Sequence, residues 1–164
     1  MNSYFTAAAI GYLLGSIPFG YLLVRMFTGE DVRASGSGNI GATNVARKSP
    51  ALGIATLLLD AAKGLAAVLL ARALFSGPHQ RLIMTTAAFF AVLGHMLPVW
   101  LKFRGGKGVA TSLGAFILLT PKSILCMVIV FLIVAVAFRY VSLASVCAAV
   151  AFRSEERRVG KECA

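Results

Sequence analysis

The residues with the most chemistry to offer stand in "GSGNIGATNVAR", Gly36 to Arg47. Gly36, Gly38 and Gly41 alternate there with the hydroxyls of Ser37 and Thr43, the amides of Asn39 and Asn44, and the guanidinium of Arg47. Glycine lets a backbone N–H approach an anion closely, and hydroxyl and guanidinium groups complete a donor set around phosphate oxygens. The spacing formally matches a dinucleotide fingerprint, but that motif acts between a strand and a helix, and here an apolar helix precedes it and no β pattern follows.

A second set, "KFRGGKGVATS" from Lys102 to Ser112, carries Gly105, Gly106, Lys107 and Gly108. It is not a Walker A loop, because no glycine stands at Leu101 and Gly108 follows the lysine in place of Ser or Thr. Similar physics still applies: the glycine N–H groups are expected to form a nest, Lys107 is a mobile point charge, and a helix starting near Val109 adds positive dipole.

Acids are scarce, with 6 Asp and Glu against 16 Lys and Arg. Ahead of the C-terminal stretch they are Glu30, Asp31 and Asp60 alone. That argues against paired-carboxylate catalysis, a carboxylate metal cage and magnesium-dependent nucleotide hydrolysis. Cys126, Cys147 and Cys163 show no metal or redox spacing, and nothing calls for a metal or an organic cofactor. The basic residues are scattered between apolar runs without an aromatic stripe, which disfavours nucleic acid and suits phosphorylated substrates or anionic lipid.

The elements that must hold these loops are membrane helices. The chain is 59% hydrophobic and 13% charged, with a mean hydropathy of +0.84, whereas soluble domains carry about 25% charged residues. The expected fold is an all-α, polytopic helix bundle of about five full or partial spans plus an unfinished sixth. The spans cover roughly 4–26, 51–75, 83–101, 109–119 and 123–138, with the sixth running from Val141 to near Phe152. Met1-Asn-Ser-Tyr lacks the basic start of a signal peptide, so the first run is expected to stay. Within it Gly11 and Gly15, and Ser16 and Gly20, recur at a spacing that suits close helix packing. Asp60 and Lys63 share one helix face inside the second span, where they are expected to pair. His95, at the end of the third, is expected to make a helix-end hydrogen bond.

Basic residues sort by alternate loops. Arg25, Arg33, Arg47, Lys48, Lys102, Arg104, Lys107 and Arg139 fall on one side; Arg72, Arg81 and Lys122 fall on the other. By the positive-inside rule both glycine-rich loops open on the cytoplasm and Met1 lies outside.

From Arg153 the sequence changes to "RSEERRVGKEC", which follows an unfinished apolar run and resembles the translated read-through of a sequencing adapter. The expectation is a membrane domain over residues 1–152, continuing further in the natural protein, and a foreign tail over 153–164.

"DVRASGSGNIGATNVAR", "GHMLPVWLKFRGGKGVATSLG", "LLLDAAKG" and "RYVSLAS", the last containing Ser142, together resemble the bacterial acyl-phosphate:glycerol-3-phosphate acyltransferases, the PlsY family. The resemblance implies a polytopic enzyme of the bacterial inner membrane that moves a fatty acyl group from acyl phosphate to the 1-position of glycerol 3-phosphate. Lysophosphatidic acid and inorganic phosphate would be the products, at the start of phospholipid synthesis. It assigns phosphate binding to Ser37, Arg47 and Lys107, helped by Thr43 and the backbone of Gly38 and Gly41, while Gly105, Gly106 and Gly108 shape the glycerol-phosphate loop. The family has no Ser-His-Asp triad and no His-x4-Asp motif, and neither His79 nor His95 has a matching acid here. One departure stands out: the family's third motif, a cytoplasmic stretch with His, Asn and Glu, has no counterpart in "RSEERRVGKECA". Two other readings of the residues are a carrier for phosphorylated metabolites, which should place its site at broken helices near the midplane, and a helix-packing scaffold, which leaves both loops unexplained.

Overall fold

The computed structural model describes residues 3–162, with side chains described as far as Arg153. All regular elements among the described residues are helical. In order they are α1 (Ser3–Gly15), α2 (Phe19–Thr28), a 3₁₀ turn (Val32–Ala34), α3 (Ala42–Ala46), α4 (Pro50–Leu74), α5 (Gln80–Met96), a second 3₁₀ turn (Val99–Leu101), α6 (Val109–Phe116), α7 (Pro121–Phe138) and α8 (Val141–Glu162). Among the described residues four segments are long and apolar enough to cross a bilayer: Ser3–Thr28, Pro50–Leu74, Gln80–Leu101 and Pro121–Phe138. The chain divides into two compact units, Met1–Leu119 and Thr120–Ala164.

In the first unit the helices approach through missing side chains. A Cβ at Gly11 would overlap the carbonyl of Ala87, one at Gly15 that of Ala91, and one at Gly94 that of Tyr12, so α1 and α5 meet backbone to backbone. Gly114 of α6 sits the same way on Ala61 of α4, and Gly64 on Thr111. Lipid supplies no hydrophobic drive between helices, and such close approach gains the dispersion that substitutes for it. Ala7, Val68, Ala87, Ala88 and Ala115 fill the resulting core.

One expectation needs correction. The first apolar run is not one helix, because Pro18 has no N–H to donate and its ring excludes a straight continuation. The chain breaks at Ser16–Pro18, and Leu22 N–H resumes the ladder by donating to the Pro18 carbonyl at 3.0 Å. Ser16 and Gly20 therefore do not share a helix face. Ser16 Oγ accepts from Trp100 Nε1 at 2.8 Å, while Gly20 lies against the Ile40 carbonyl. The stretch 109–119, short enough in the sequence to be a partial span, contains the short helix Val109–Phe116, about 12 Å at 1.5 Å per residue, too short to cross.

The second unit is a helical hairpin. Arg139, with φ of 54°, ends α7 in the left-handed region, and its N–H donates to Ala135 before α8 begins. Ser142 lies exposed in the first turn of α8. The stretch 154–164, which covers nearly all of the expected foreign tail, lies outside the residues whose side chains are described.

Candidate phosphate-binding site

The first loop is built around Asn44. Its side chain is 3% exposed; Oδ1 accepts the Ser37 N–H at 2.9 Å, and Nδ2 donates to the carbonyls of Val32, Ser35 and Asn39 at 3.0, 3.1 and 2.9 Å. Beneath it Val32, Ile40 and Val45 pack with Val24 of α2 and Leu101 of the second 3₁₀ turn, a small apolar core that ties a polar loop to two spans. Gly36 and Gly38, with φ of 62° and 69°, supply the left-handed turns this path requires. Asp31 caps the 3₁₀ turn and grips Arg33 through Nη2 at 2.7 Å. That bond, with the Arg33 N–H, holds the Asp31 carboxyl down at about 2, below its ordinary 3.8.

What the loop presents outward is Ser37, Thr43 and Arg47, all exposed. A Cβ on Gly36 would come within 3.2 Å of Arg47 Nη1, so the guanidinium lies across the glycine turn beside Ser37. The expected donor set is narrower than the sequence suggested. Asn44 is spent on the loop itself. The Gly38 N–H donates to Ser35 O at 3.2 Å, and the Gly41 N–H to Asn39 Oδ1 at 2.8 Å.

The second loop folds back onto the end of α5. The Gly105 N–H donates to Met96 O at 3.1 Å and the Gly106 N–H to His95 O at 3.0 Å. These satisfy carbonyls that the helix end leaves without partners. The expected glycine nest is thereby corrected: these two amides cap a helix and are not aimed at an anion. Lys102 and Phe103, with φ of 54° and 62°, make the tight return. Gly108, with φ of 80°, is the N-cap of α6, which places exposed Lys107 just ahead of that helix's positive end.

Asn39 joins the two loops. Its Nδ2 reaches Gly105 O at 3.5 Å, so segments far apart in sequence meet at one end of the first unit. Beneath them Lys63 Nζ pairs with Asp60 Oδ1 at 2.7 Å, as the spacing predicted, and the same oxygen lies 3.5 Å from His95 Nδ1. His95 thus does have an acid beside it, contrary to the sequence reading, because α4 and α5 bring together residues with no motif spacing between them. Sequence reasoning also missed Thr111, whose fully buried hydroxyl has no hydrogen-bond partner, and the Trp100–Ser16 bond. Neither leaves a periodic signal in the sequence.

The architecture defines a class: a multi-span helical membrane protein in which two basic, glycine-rich loops meet at one end. The glycerol-3-phosphate acyltransferase family model matches residues 5–154, and the chain belongs to that family. A glycerol-3-phosphate acyltransferase of Ehrlichia canis is 48% identical over 89% of this chain and 75% of its own length. One of Agrobacterium fabrum is 54% identical over 87% and 68%. The crystal structure of PlsY, an integral membrane glycerol 3-phosphate acyltransferase in its glycerol 3-phosphate form, superposes with a TM-score of 0.81 at 39% identity, covering 92% of this chain and 74% of that one. Its lysophosphatidic acid form gives a TM-score of 0.79.

Proposed function

We propose that this chain transfers a fatty acyl group from an acyl phosphate to the 1-position of glycerol 3-phosphate, releasing lysophosphatidic acid and inorganic phosphate. The observation that carries the reading is the junction of the two loops through Asn39 and Gly105, which puts the donors of both at one end of the bundle. Two phosphorylated substrates need two sets of cationic donors side by side. PlsY, the similar solved structure, exists in a glycerol 3-phosphate form and a lysophosphatidic acid form, the acceptor and the product of such a transfer.

In this mechanism Ser37, Arg47 and Lys107 hold phosphate oxygens, with Thr43 beside them on α3. The C1 hydroxyl oxygen attacks the acyl carbonyl, forming the ester bond while the bond from acyl carbon to phosphate oxygen breaks. The hydroxyl proton passes to a phosphate oxygen. Acyl phosphate is a reactive mixed anhydride, so positioning, and stabilisation of the oxyanion and the departing phosphate, carry the catalysis. Gly38, Gly41, Asn39, Asn44, Gly105, Gly106 and Gly108 act by shaping the loops. Ser37 is a ligand donor and not a nucleophile; a kinetically competent Ser37 acyl-enzyme would overturn that.

Placement in a bacterial inner membrane with both loops in the cytoplasm is supported by charge. Arg25, Arg33, Arg47, Lys48, Lys102, Arg104 and Lys107 flank the loops, against Arg72 and Arg81 at the α4–α5 connection. Residues 153–164 are read as foreign to the enzyme; the family match runs two residues into that stretch and does not extend over residues 155–164.

The test is acyl transfer from palmitoyl phosphate to radiolabelled glycerol 3-phosphate in membranes, for this chain and for the chain extended from intact genomic sequence. Lipid-extractable label is expected at least from the extended chain. Label moved unchanged across the membrane by both would make the protein a carrier.

A further inference from the structure

Asp60, Lys63 and His95 are 2%, 4% and 4% exposed, and burying ionisable groups in a membrane protein is costly unless they pair, and such groups usually mark function. The chemistry assigned to the two loops uses none of them. An ion pair alone would satisfy Asp60 and Lys63, yet each partner reaches further.

Lys63 Nζ also donates to Ile17 O at 2.7 Å. Ile17 lies in the Pro18 break, where helical bonding is interrupted, and its carbonyl otherwise takes only the short-range Phe19 N–H at 3.1 Å. The break is what turns α2 so that Gly20 sits under Ile40 of the first loop. On the other side, Asp60 Oδ1 faces His95 Nδ1, which has no closer partner, at 3.5 Å. The carboxylate favours the tautomer with its proton on Nδ1. That leaves Nε2 on the far side of the ring, where a Cβ on Gly106 would overlap it. The backbone of His95 meanwhile takes the Gly106 N–H at 3.0 Å. His95 therefore holds the second loop with ring and backbone together, while Lys63 holds the break that carries the first.

We propose that the buried Asp60–Lys63–His95 cluster is a positioning device: it fixes the Gly105–Gly108 loop against the Gly36–Arg47 loop and so sets the spacing of the two phosphate sites. The contacts form a closed circuit from Ile17 through Lys63, Asp60, His95, Gly106, Gly105, Asn39 and Ile40 to Gly20 and back along α2. None of the three side chains touches substrate. The proposal rests on reading the two loops as one substrate site, but the circuit itself is testable without activity.

Histidine substitution separates positioning from catalysis. Asparagine places a donor where Nδ1 stands and glutamine places one where Nε2 stands. In a chain whose cysteines are replaced, spin labels at Ala34→Cys and Arg104→Cys, both exposed positions, report the distance between the loops. The labelled parent should give one narrow distance distribution, kept by H95N and broadened or shifted by H95Q, H95F and D60L. In the acyl-transfer assay on unlabelled protein, H95N should keep kcat within a few-fold while H95Q and H95F lose about a hundredfold, the cost of misplacing reacting groups by about 1 Å. Unchanged distributions in H95F and D60L, each shown to be folded by an unaltered melting profile, would overturn the proposal. So would H95Q outperforming H95N, which would make Nε2 a catalytic group. Absence of activity in both the parent and the extended chain, with the distance results as expected, would defeat the acyltransferase reading and leave the circuit standing.

Discussion

Replacing Asn44 should release the first loop while leaving every outward-facing donor in place. Its Oδ1 holds the Ser37 N–H, and its Nδ2 serves three carbonyls with two hydrogens. Three effective bonds at about 1 kcal/mol each give a cost of about 3 kcal/mol for N44A. At 1.4 kcal/mol per tenfold, that shifts local opening of residues 32–47 about a hundredfold toward the open form. Amide hydrogen exchange should show it as a comparable loss of protection at Ser37, with KM for glycerol 3-phosphate rising because Ser37 and Arg47 lose their fixed relation. The near-isosteric N44D should be worse than N44A. It retains the acceptor for Ser37 but turns a charged oxygen toward the carbonyls of Val32, Ser35 and Asn39 in a buried setting. Protection in N44A within about threefold of the parent, or N44D milder than N44A, would refute the reasoning.

Gly106→Ala should reduce kcat/KM for acyl transfer by at least about tenfold, because its Cβ would occupy the space of the His95 ring and the loop must move to admit it. Gly15→Ala should lower the melting temperature of the detergent-solubilised protein, at a cost of about 1–3 kcal/mol, since α1 must back away from the Ala91 carbonyl. The Asp31 carboxyl should titrate at about 2 by carbon NMR, and Arg33→Ala should return it toward 3.8. Its pKa is depressed on folding, so its contribution to the loop is complete above 3.8 and is lost only as the pH falls through about 2. Between pH 4 and 7 the Asp31–Arg33 turn should therefore show no change.

Much of this protein was legible before any fold was known. Runs of some twenty apolar residues can satisfy their backbone in lipid only as helices, so the helical bundle, the second and third spans and the placement of both basic loops at span ends follow from composition and length. The pairing of Asp60 with Lys63 follows from helical periodicity alone, and the motif resemblance names the family that the comparisons bear out. Donor availability was not legible. Gly38, Gly41, Gly105 and Gly106 look like anion-binding amides in a linear string, and only the folded path shows each already donating to a carbonyl or to Asn39.

Hydrogen-bond partners between distant segments leave no trace in spacing, which is why the sequence offers Asn39 and Asn44 as donors without showing that their amides brace the loops. The same reason hid Asp60 from His95. Local sequence determines which groups exist and which helix face they share; whether a buried group is free or taken depends on what another helix brings within 3.5 Å, and that is decided only when α4 packs beside α5, which α1 meets through glycines.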